Sequence, residues 1–356
     1  MSLRPRPAIK PWLPRMWRDP RTLQIGVEPG NGVVLSGVDL STATWLAGLD
    51  GSRSEGEVLA DAAVQGLDLG SAVRILSGLS LAGVLLGAPV SPDGLAEAGP
   101  FAPELVALTE TSSTASNGGQ VLDARSRRYV QIEGANRIGV PLGALLSASG
   151  VGILTFLDTA SVRLCDATVG GLDLDDEGEA RILAAQRAVR RTSHVELAGP
   201  AAAPEKPDLV ILCQPWTAHD PLHGHPLVER GAHLAVAVRE GRVVIGPLVV
   251  PGRTSCLRCA EVHRTDRDPR WPAVAAQLAA GQSRAMHEPT SVLAALAAAL
   301  AAAQVLDFLD GNRAPDVIEA TFEVRPPDWQ MCRRAWPPHV DCGCLETGAD
   351  PLSATG

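Results

Sequence analysis

Aromatic side chains are scarce in this chain of 356 residues, with one tyrosine and four phenylalanines within a total of 3%. Rings cannot fill its core, so Ala, Val and Leu, prominent among the 46% hydrophobic residues, must do so. No apolar run approaches the roughly 20 residues a membrane helix needs; the most apolar, Val292 to Leu306, falls short and is mostly alanine. No apolar stretch follows Arg4, Arg6, Lys10, Arg15 and Arg18, so no secretory signal is read at the start. Excess positive charge is missing too. The net charge of -9 argues against nucleic acid or an anionic membrane as partner. The expectation is a cytoplasmic protein of two or three domains.

Seven cysteines are present, and four form tight pairs: Cys256-Leu-Arg-Cys259 and Cys342-Gly-Cys344. In a reducing compartment such spacing points to metal before disulfide. Four thiolates close a tetrahedral zinc shell with no position left for substrate, so the zinc expected here is structural. It would staple the C-terminal region to the domain that carries Cys256. His339 lies just before the second pair and is an alternative to one sulfur.

The first 20 residues are rich in Pro and Arg and read as extended. Leu23 to Val27 and Val33 to Leu35 flank Pro29-Gly30-Asn31-Gly32, a hairpin signal because Asn and Gly accept positive φ. Three helices are expected next. One runs near Ser41 to Leu49 with Ser41 as N-cap. One runs from Ser54 to Gln65 with Ser54 and Glu57 as a capping box. One runs from Ser71 to Ala82, with Val73, Leu76, Leu79 and Ala82 at helical spacing. Hairpin plus three helices is the order of a small winged-helix unit, assigned to residues 1–87. Residues 88–128 read as a connecting region.

From residue 129 to 350 strands and helices alternate, which implies a Rossmann-like α/β domain with a parallel sheet. Strands are expected at Tyr129 to Glu133, Gly152 to Leu157, Leu209 to Cys213, His233 to Val238 and Val243 to Val250, with helices at Val140 to Ser149, Glu177 to Arg191 and Pro289 to Leu309. Gly134-x-Asn136-x-x-Gly139 is a strand-to-helix phosphate loop with its middle glycine replaced. Asp158 ends the next strand, where an acid that binds ribose would sit. The turn reads equally as a nucleotide site and as a turn without ligand.

Tyr129 to Cys259 resembles the ThiF/MoeB adenylating family in its glycine turn, in Ala148-Ser-Gly-Val-Gly152, in the strand to Asp158, and in a Gly-bearing strand leading to Cys-x-x-Cys. The resemblance implies ATP–Mg²⁺ bound near Gly134, Asn136, Gly139 and Asp158. It also implies an Asn-Leu-x-Arg-Gln motif, which falls on Asp166 to Gly170 and puts Val169 where the phosphate-binding Arg belongs. The magnesium-binding Asp falls on Pro215. Neither residue stabilises charge on a phosphate. Asp166, Asp173, Asp175 and Arg163 are the nearby charges that remain.

Nearly the whole chain also resembles the actinobacterial cyclodehydratase partners, or precursor leader-peptide-binding proteins, of thiazole/oxazole-modified peptide clusters. The residues that carry this are Ile245 to Gly252, Cys256 to Cys259, Arg264-x-Asp266-x-Asp268-Pro-x-Trp271-Pro272, Ala276-Gln277-Leu278 and Trp336 to Cys344. The resemblance implies a PqqD-like N-terminal domain that takes a leader peptide as an added strand, and a zinc-bearing domain that docks a YcaO-type cyclodehydratase. Leu23, Ile25 and Val27 on the strand and Arg74 on the third helix are the candidate peptide contacts. A non-catalytic bacteriocin-type partner is therefore expected. An ATP-dependent adenylating enzyme is the alternative, and a homodimer is compatible with either. A DNA-binding regulator is opposed by the acidic charge and by a third helix whose one cation is Arg74.

Arg264, Asp266, Asp268 and Trp271 read as a docking surface or as an ion-paired loop. His219, His223 and His225 read as a solvated loop, Cys165 and Cys213 as small core residues, and Cys332 carries no reading.

Overall fold

The structure is a computed structural model and describes residues 6–28, 32–86, 97–111, 118–192, 196–197, 204, 206–213, 231–279 and 288–345. The chain divides into two compact units, Met1–Leu122 and Asp123–Gly356.

The first unit holds a three-stranded antiparallel sheet in the order β1 (Arg15–Asp19), β2 (Thr22–Ile25), β3 (Val33–Ser36). The expected hairpin pairs Ile25 with Val33 and Thr22 with Ser36, while its tip at 29–31 lies outside the described residues. β1, hidden in a stretch read only as extended, covers the other edge of β2. Three helices follow: α1 (Leu40–Ala47), α2 (Glu55–Val64) and α3 (Leu69–Leu81). The expected capping box at Ser54 and Glu57 is present. The other two helices start earlier than expected, because Asp39 rather than Ser41 caps α1 and Asp68 caps α3. Their carboxylates accept the amides of Thr42 and Ser71, each at 2.8 Å. The core between sheet and helices includes Leu23, Ile25, Trp45, Leu46, Leu76 and Leu79. Trp45 satisfies its indole by donating to the Val58 carbonyl at 2.9 Å. The region read as a connection contains two helices, α4 (Ala102–Thr111) and α5 (Gly118–Ser126). α5 opens on two glycines and carries Gln120, Asp123, Arg125 and Ser126, so it leaves almost no apolar period in the sequence.

The second unit is built on β4 (Tyr129–Glu133), α6 (Gly139–Ala148), β5 (Ile153–Leu157), α7 (Arg181–Arg190), β6 (Glu196–Leu197), β7 (Leu209–Leu212), β8 (His233–Arg239), β9 (Arg242–Val249), α8 (Leu257–Arg267), α9 (Trp271–Ala279), α10 (Ser291–Asp310), β10 (Ala320–Val324) and β11 (Met331–Ala335). The sheet order is β11-β10-β9-β8-β7-β4-β5-β6. β8 through β6 pair in parallel, as expected for βαβ units, whereas β8 to β11 are antiparallel. The sheet is thus mixed rather than parallel. β11 is exposed along its whole length and shows no alternation, which hid it in the sequence.

Alternation in the central strands splits the sheet into two faces. Val130, Ile132, Leu154, Phe156, Leu209 and Ile211 share one core with α6, α7 and α10. Gln131, Glu133 and Thr155, from alternate positions, are buried polar residues, and the Tyr129 hydroxyl lies 3.0 Å from Thr155 Oγ1. α10 is longer than its apolar run suggested. It has 20 residues, capped by Thr290 and by Gly311 at φ 66°, and by length and composition it is apolar enough to cross a membrane. Leu293, Ala297, Ala301 and Val305 lie instead in the sheet core, so it is a core helix. Gly152 is obligatory for close packing, since a Cβ there would lie 1.6 Å from the Ser126 carbonyl oxygen. Arg125 and Asp310 form a buried pair at 2.7 Å.

Candidate metal centre and nucleotide turn

The four paired cysteines meet. Cys256 is the N-cap of α8 and Cys259 lies in its first turn, while Cys342 and Cys344 flank Gly343, whose φ of 68° reverses the chain. All four sulfurs lie within 4.8 Å of one another. Cys256 and Cys342 approach to 3.4 Å, as do Cys259 and Cys344, and Cys256 and Cys259 to 3.9 Å. Tetrahedral ligation at about 2.3 Å would separate sulfurs by about 3.8 Å, so the cluster fits a metal of zinc's size with small adjustments. Burial works to raise the Cys259 thiol, but amide and thiol hydrogen bonds outweigh it and lower its pKa. Burial and that neighbouring sulfur push Cys344 up to about 11. The four converging sulfurs are a donor set that could hold a metal ion.

His339 is not a fourth-ligand substitute. Its backbone N–H donates to Cys259 Sγ at 3.4 Å, and its Nε2 lies 2.8 Å from Asp266 Oδ2. The His263 ring stacks edge-on against it with centroids 4.8 Å apart. Trp336, buried just before the second pair, donates from Nε1 to Thr321 Oγ1 at 3.0 Å. Trp271 donates to Glu261, which also binds Arg264, and Arg264 lies over the Trp336 ring at 4.7 Å. Asp268 accepts the Arg270 amide at 3.0 Å. The Arg264 to Trp271 stretch is therefore an ion-paired support for the cysteine cluster.

The turn after β4 has the expected backbone but differs in its chemistry. Gly134 has φ 104°, and a Cβ on Gly139 would lie 2.0 Å from the Gly134 carbonyl oxygen, so both glycines are demanded by the turn itself. Asn136 fills the place of the missing middle glycine. Its Oδ1 accepts the amides of Ile138 and Gly139 at 3.0 and 3.1 Å, and its Nδ2 donates to the Cys213 carbonyl. Those two amides open α6 and are the groups a phosphate would use. Asp158 is engaged as well: it accepts the amides of Ala135 and Ala160, each at 2.9 Å, and Arg181 lies 3.6 Å away.

Asp166, Arg163 and Asp173 near this turn are also committed, while Asp175 is exposed. Asp166 is fully buried between Arg163 and Arg181, the latter at 2.7 Å. Burial acts to raise Asp166, but its hydrogen bonds to those arginines win and lower it. Asp173 caps its own short turn at Leu174. Val169 is 84% exposed and brings no charge. Pro215 and the loop with His219, His223 and His225 lie outside the described residues. Arg181 and Arg137 were not singled out in the sequence. Arg137 donates to the carbonyls of Pro289, Cys165 and Ala167. Nothing in spacing alone links a helix arginine to a carboxylate two elements earlier.

The peptide-contact expectation needs correction. Leu23 and Ile25 are core residues of a strand paired on both sides, so β2 offers no free edge. Val27 lies beyond the strand end and is exposed. The edges of this sheet are β1 and β3. Arg74 is exposed on α3 and donates to Ser71 Oγ at 2.8 Å. Cys213 is buried, which pushes its thiol far above the usual range, in keeping with a core residue. Cys165 and Cys332 are exposed.

No family model and no curated protein matches the chain. Solved structures do. E. coli MccB with succinimide aligns at TM-score 0.68 and 16% identity over 96% of this chain and 99% of that one, and MccB with ATP at 0.67, 15%, 95% and 99%. The microcin C7 biosynthetic enzyme MccB in complex with N-formylated MccA aligns at 0.66 and 15% over 95% and 99%, and PaaA at 0.64 and 15% over 92% and 99%. At such identity the likeness is one of fold: this chain shares the mixed α/β, Rossmann-like architecture of those structures.

Proposed function

We propose that this chain is a non-catalytic partner in bacterial thiazole/oxazole-modified peptide biosynthesis, which binds a precursor leader peptide and presents the core peptide to a YcaO cyclodehydratase. The observation that carries the non-catalytic reading is the turn after β4. Asn136 occupies the amides that a phosphate would need, and Asp158 is held by Ala135, Ala160 and Arg181. The likeness to MccB, solved with N-formylated MccA, supports recognition of a peptide. Leader recognition is assigned to residues 1–87 as a winged-helix, PqqD-like domain, 88–128 to the connection, and 129–350 to the docking domain. The leader strand would add to β3 rather than β2, and Arg74, exposed on α3, is the candidate contact from the helices. The metal of the four-cysteine cluster is assigned as structural zinc.

One observation favours the alternative of an adenylating enzyme. Asp158 does stand at the end of β5 with a cation beside it, in a fold shared with a protein solved with ATP. Isothermal titration of the full chain with ATP–Mg²⁺ and with a leader peptide separates the two. Leader binding without nucleotide binding is expected. Nucleotide binding with pyrophosphate release would establish the enzyme instead. Asp158→Ala should leave peptide processing intact, measured as heterocycle formation with the cyclodehydratase present.

A further inference from the structure

Beside the cysteine cluster a second set of donors converges. His263, Asp266 and His339 bring two ring nitrogens and a carboxylate oxygen within 4.8 Å of one another. His263 and Asp266 lie three residues apart on α8 and so share a face of it. His339 comes from the segment that leads to Cys342, and its backbone N–H fixes it against Cys259 Sγ at 3.4 Å.

The hydrogen bonds of the two rings give their tautomers. His263 Nε2 lies 2.9 Å from the Pro337 carbonyl oxygen. A carbonyl can only accept, so Nε2 carries the proton and Nδ1 carries the lone pair. Such a bond to a backbone carbonyl is the usual support behind a metal-ligating histidine, because it fixes the tautomer and leaves the other nitrogen as a donor of electrons. His339 stands between two carboxylates: Asp266 Oδ2 is 2.8 Å from Nε2, and Asp341 Oδ2 is 3.7 Å from Nδ1. With the proton on Nε2, the ring donates to Asp266 and Nδ1 accepts the Asp341 amide at 3.1 Å. With the proton on Nδ1, the ring donates to the Asp341 carboxylate, and Nε2 faces Asp266 as a second lone pair. A cation between them stabilises that second arrangement, and the ring stays neutral in both.

Two imidazoles and one carboxylate suit a transition ion such as zinc, cobalt or nickel, whereas magnesium and calcium take oxygen ligands. Bonds of about 2.0–2.1 Å in a tetrahedron set donors about 3.4 Å apart, so Asp266 has to withdraw from His339 by about half an ångström. Its side chain is 58% exposed and has room to do so. We propose that His263 Nδ1, His339 Nε2 and the Asp266 carboxylate form a second divalent-ion site, separate from the four cysteines and open to solvent beside Asp266. Three protein ligands with an open position hold an exchangeable ion, unlike a closed shell of four thiolates. The ion fastens the last turns of α8 to the chain before Cys342. The site stands whether or not nucleotide or leader peptide binds elsewhere.

The probe is Co²⁺, titrated into the full chain as purified and followed by absorption spectroscopy, with zinc counted by elemental analysis. About one equivalent of Co²⁺ should bind with ligand-field bands and without thiolate-to-cobalt charge transfer, while zinc content stays unchanged. Charge transfer would report cobalt at the sulfurs, so the cysteine cluster and the second site are read separately. His263→Asn and Asp266→Asn should each weaken Co²⁺ binding by about tenfold to a hundredfold, with zinc content as in the parent. Asp266 is exposed, so Asp266→Asn decides the matter if His263→Asn loses zinc as well. Absence of any cobalt equivalent outside the sulfurs, or an equivalent held by Asp266→Asn with the parent's affinity, would overturn the assignment.

Discussion

Two sites in the second unit have the shape of ligand sites, and they differ in one respect. In the turn after β4, the polar groups that would meet a ligand meet the chain itself: Asn136 takes the amides of Ile138 and Gly139, and Asp158 takes those of Ala135 and Ala160. In the cysteine cluster, four sulfurs face one another, and burial together with their mutual repulsion raises Cys342 and Cys344. The first site is satisfied as it stands. The second brings four sulfurs together in a set that could hold a metal ion. A conserved-looking backbone is therefore a poor guide to binding, and the state of its donors and acceptors is a better one.

The largest test of this contrast is removal of the metal. Cys259→Ser should lose stoichiometric zinc, measured by elemental analysis, and lower stability by several kcal/mol, on the order of 10 °C in Tm. The release would begin at the segment from Trp336 to Cys344, which the cluster holds beside α8. A variant with full zinc content and an unshifted melting curve would show that the cluster is four buried thiols. Cys165→Ser, an exposed cysteine away from the cluster, is the control that should change neither.

A smaller effect is expected when the first site is opened. Asn136→Gly restores the missing glycine and removes an acceptor from two helix-opening amides. Stability should fall by about 1–3 kcal/mol, read from denaturant unfolding, because those amides and the Cys213 carbonyl lose their partner. If Asn136 is what excludes phosphate, the same variant should gain weak affinity for ATP–Mg²⁺ in titration calorimetry. A variant as stable as the parent would mean that the asparagine contributes little to the turn.

The contrast also explains what the sequence disclosed. The cysteine cluster was legible because tight pairs in a reducing context have few uses, and βαβ alternation placed β4, α6, β5 and β7 within a residue or so. The capping box at Ser54 was legible because it is local. β1 and β11 were not, since edge strands with exposed arginines carry no period of two; β10, an inner strand buried at four of its five positions, lacks that period as well. The central position of β2 also stayed hidden, because it depends on a partner strand that the composition disguised. The engaged state of Asp158 could not be read at all, because Arg181 reaches it only after α7 packs beside β5. Spacing reports which residues are near in the chain, whereas the fate of a polar group depends on which residues become near in space.

The smallest effect expected concerns the charges beside the turn. Asp166 is buried between Arg163 and Arg181, and although burial opposes it, those bonds hold its folded pKa below the ordinary carboxylate value of about 3.9. A folded pKa that is depressed contributes stability in full above the unfolded value, and that contribution is lost as pH falls through the folded one. Melting temperature should therefore be flat in this respect near neutrality and fall at acid pH below about 4. Asp166→Asn keeps the shape of the side chain but removes the titration. It should lower stability at pH 7, where the charge is present, and flatten the acid limb relative to the parent. If the variant's acid limb is as steep as the parent's, other carboxylates dominate the acid transition. Asp166 then serves the turn by shape and hydrogen bonding, with its charge secondary.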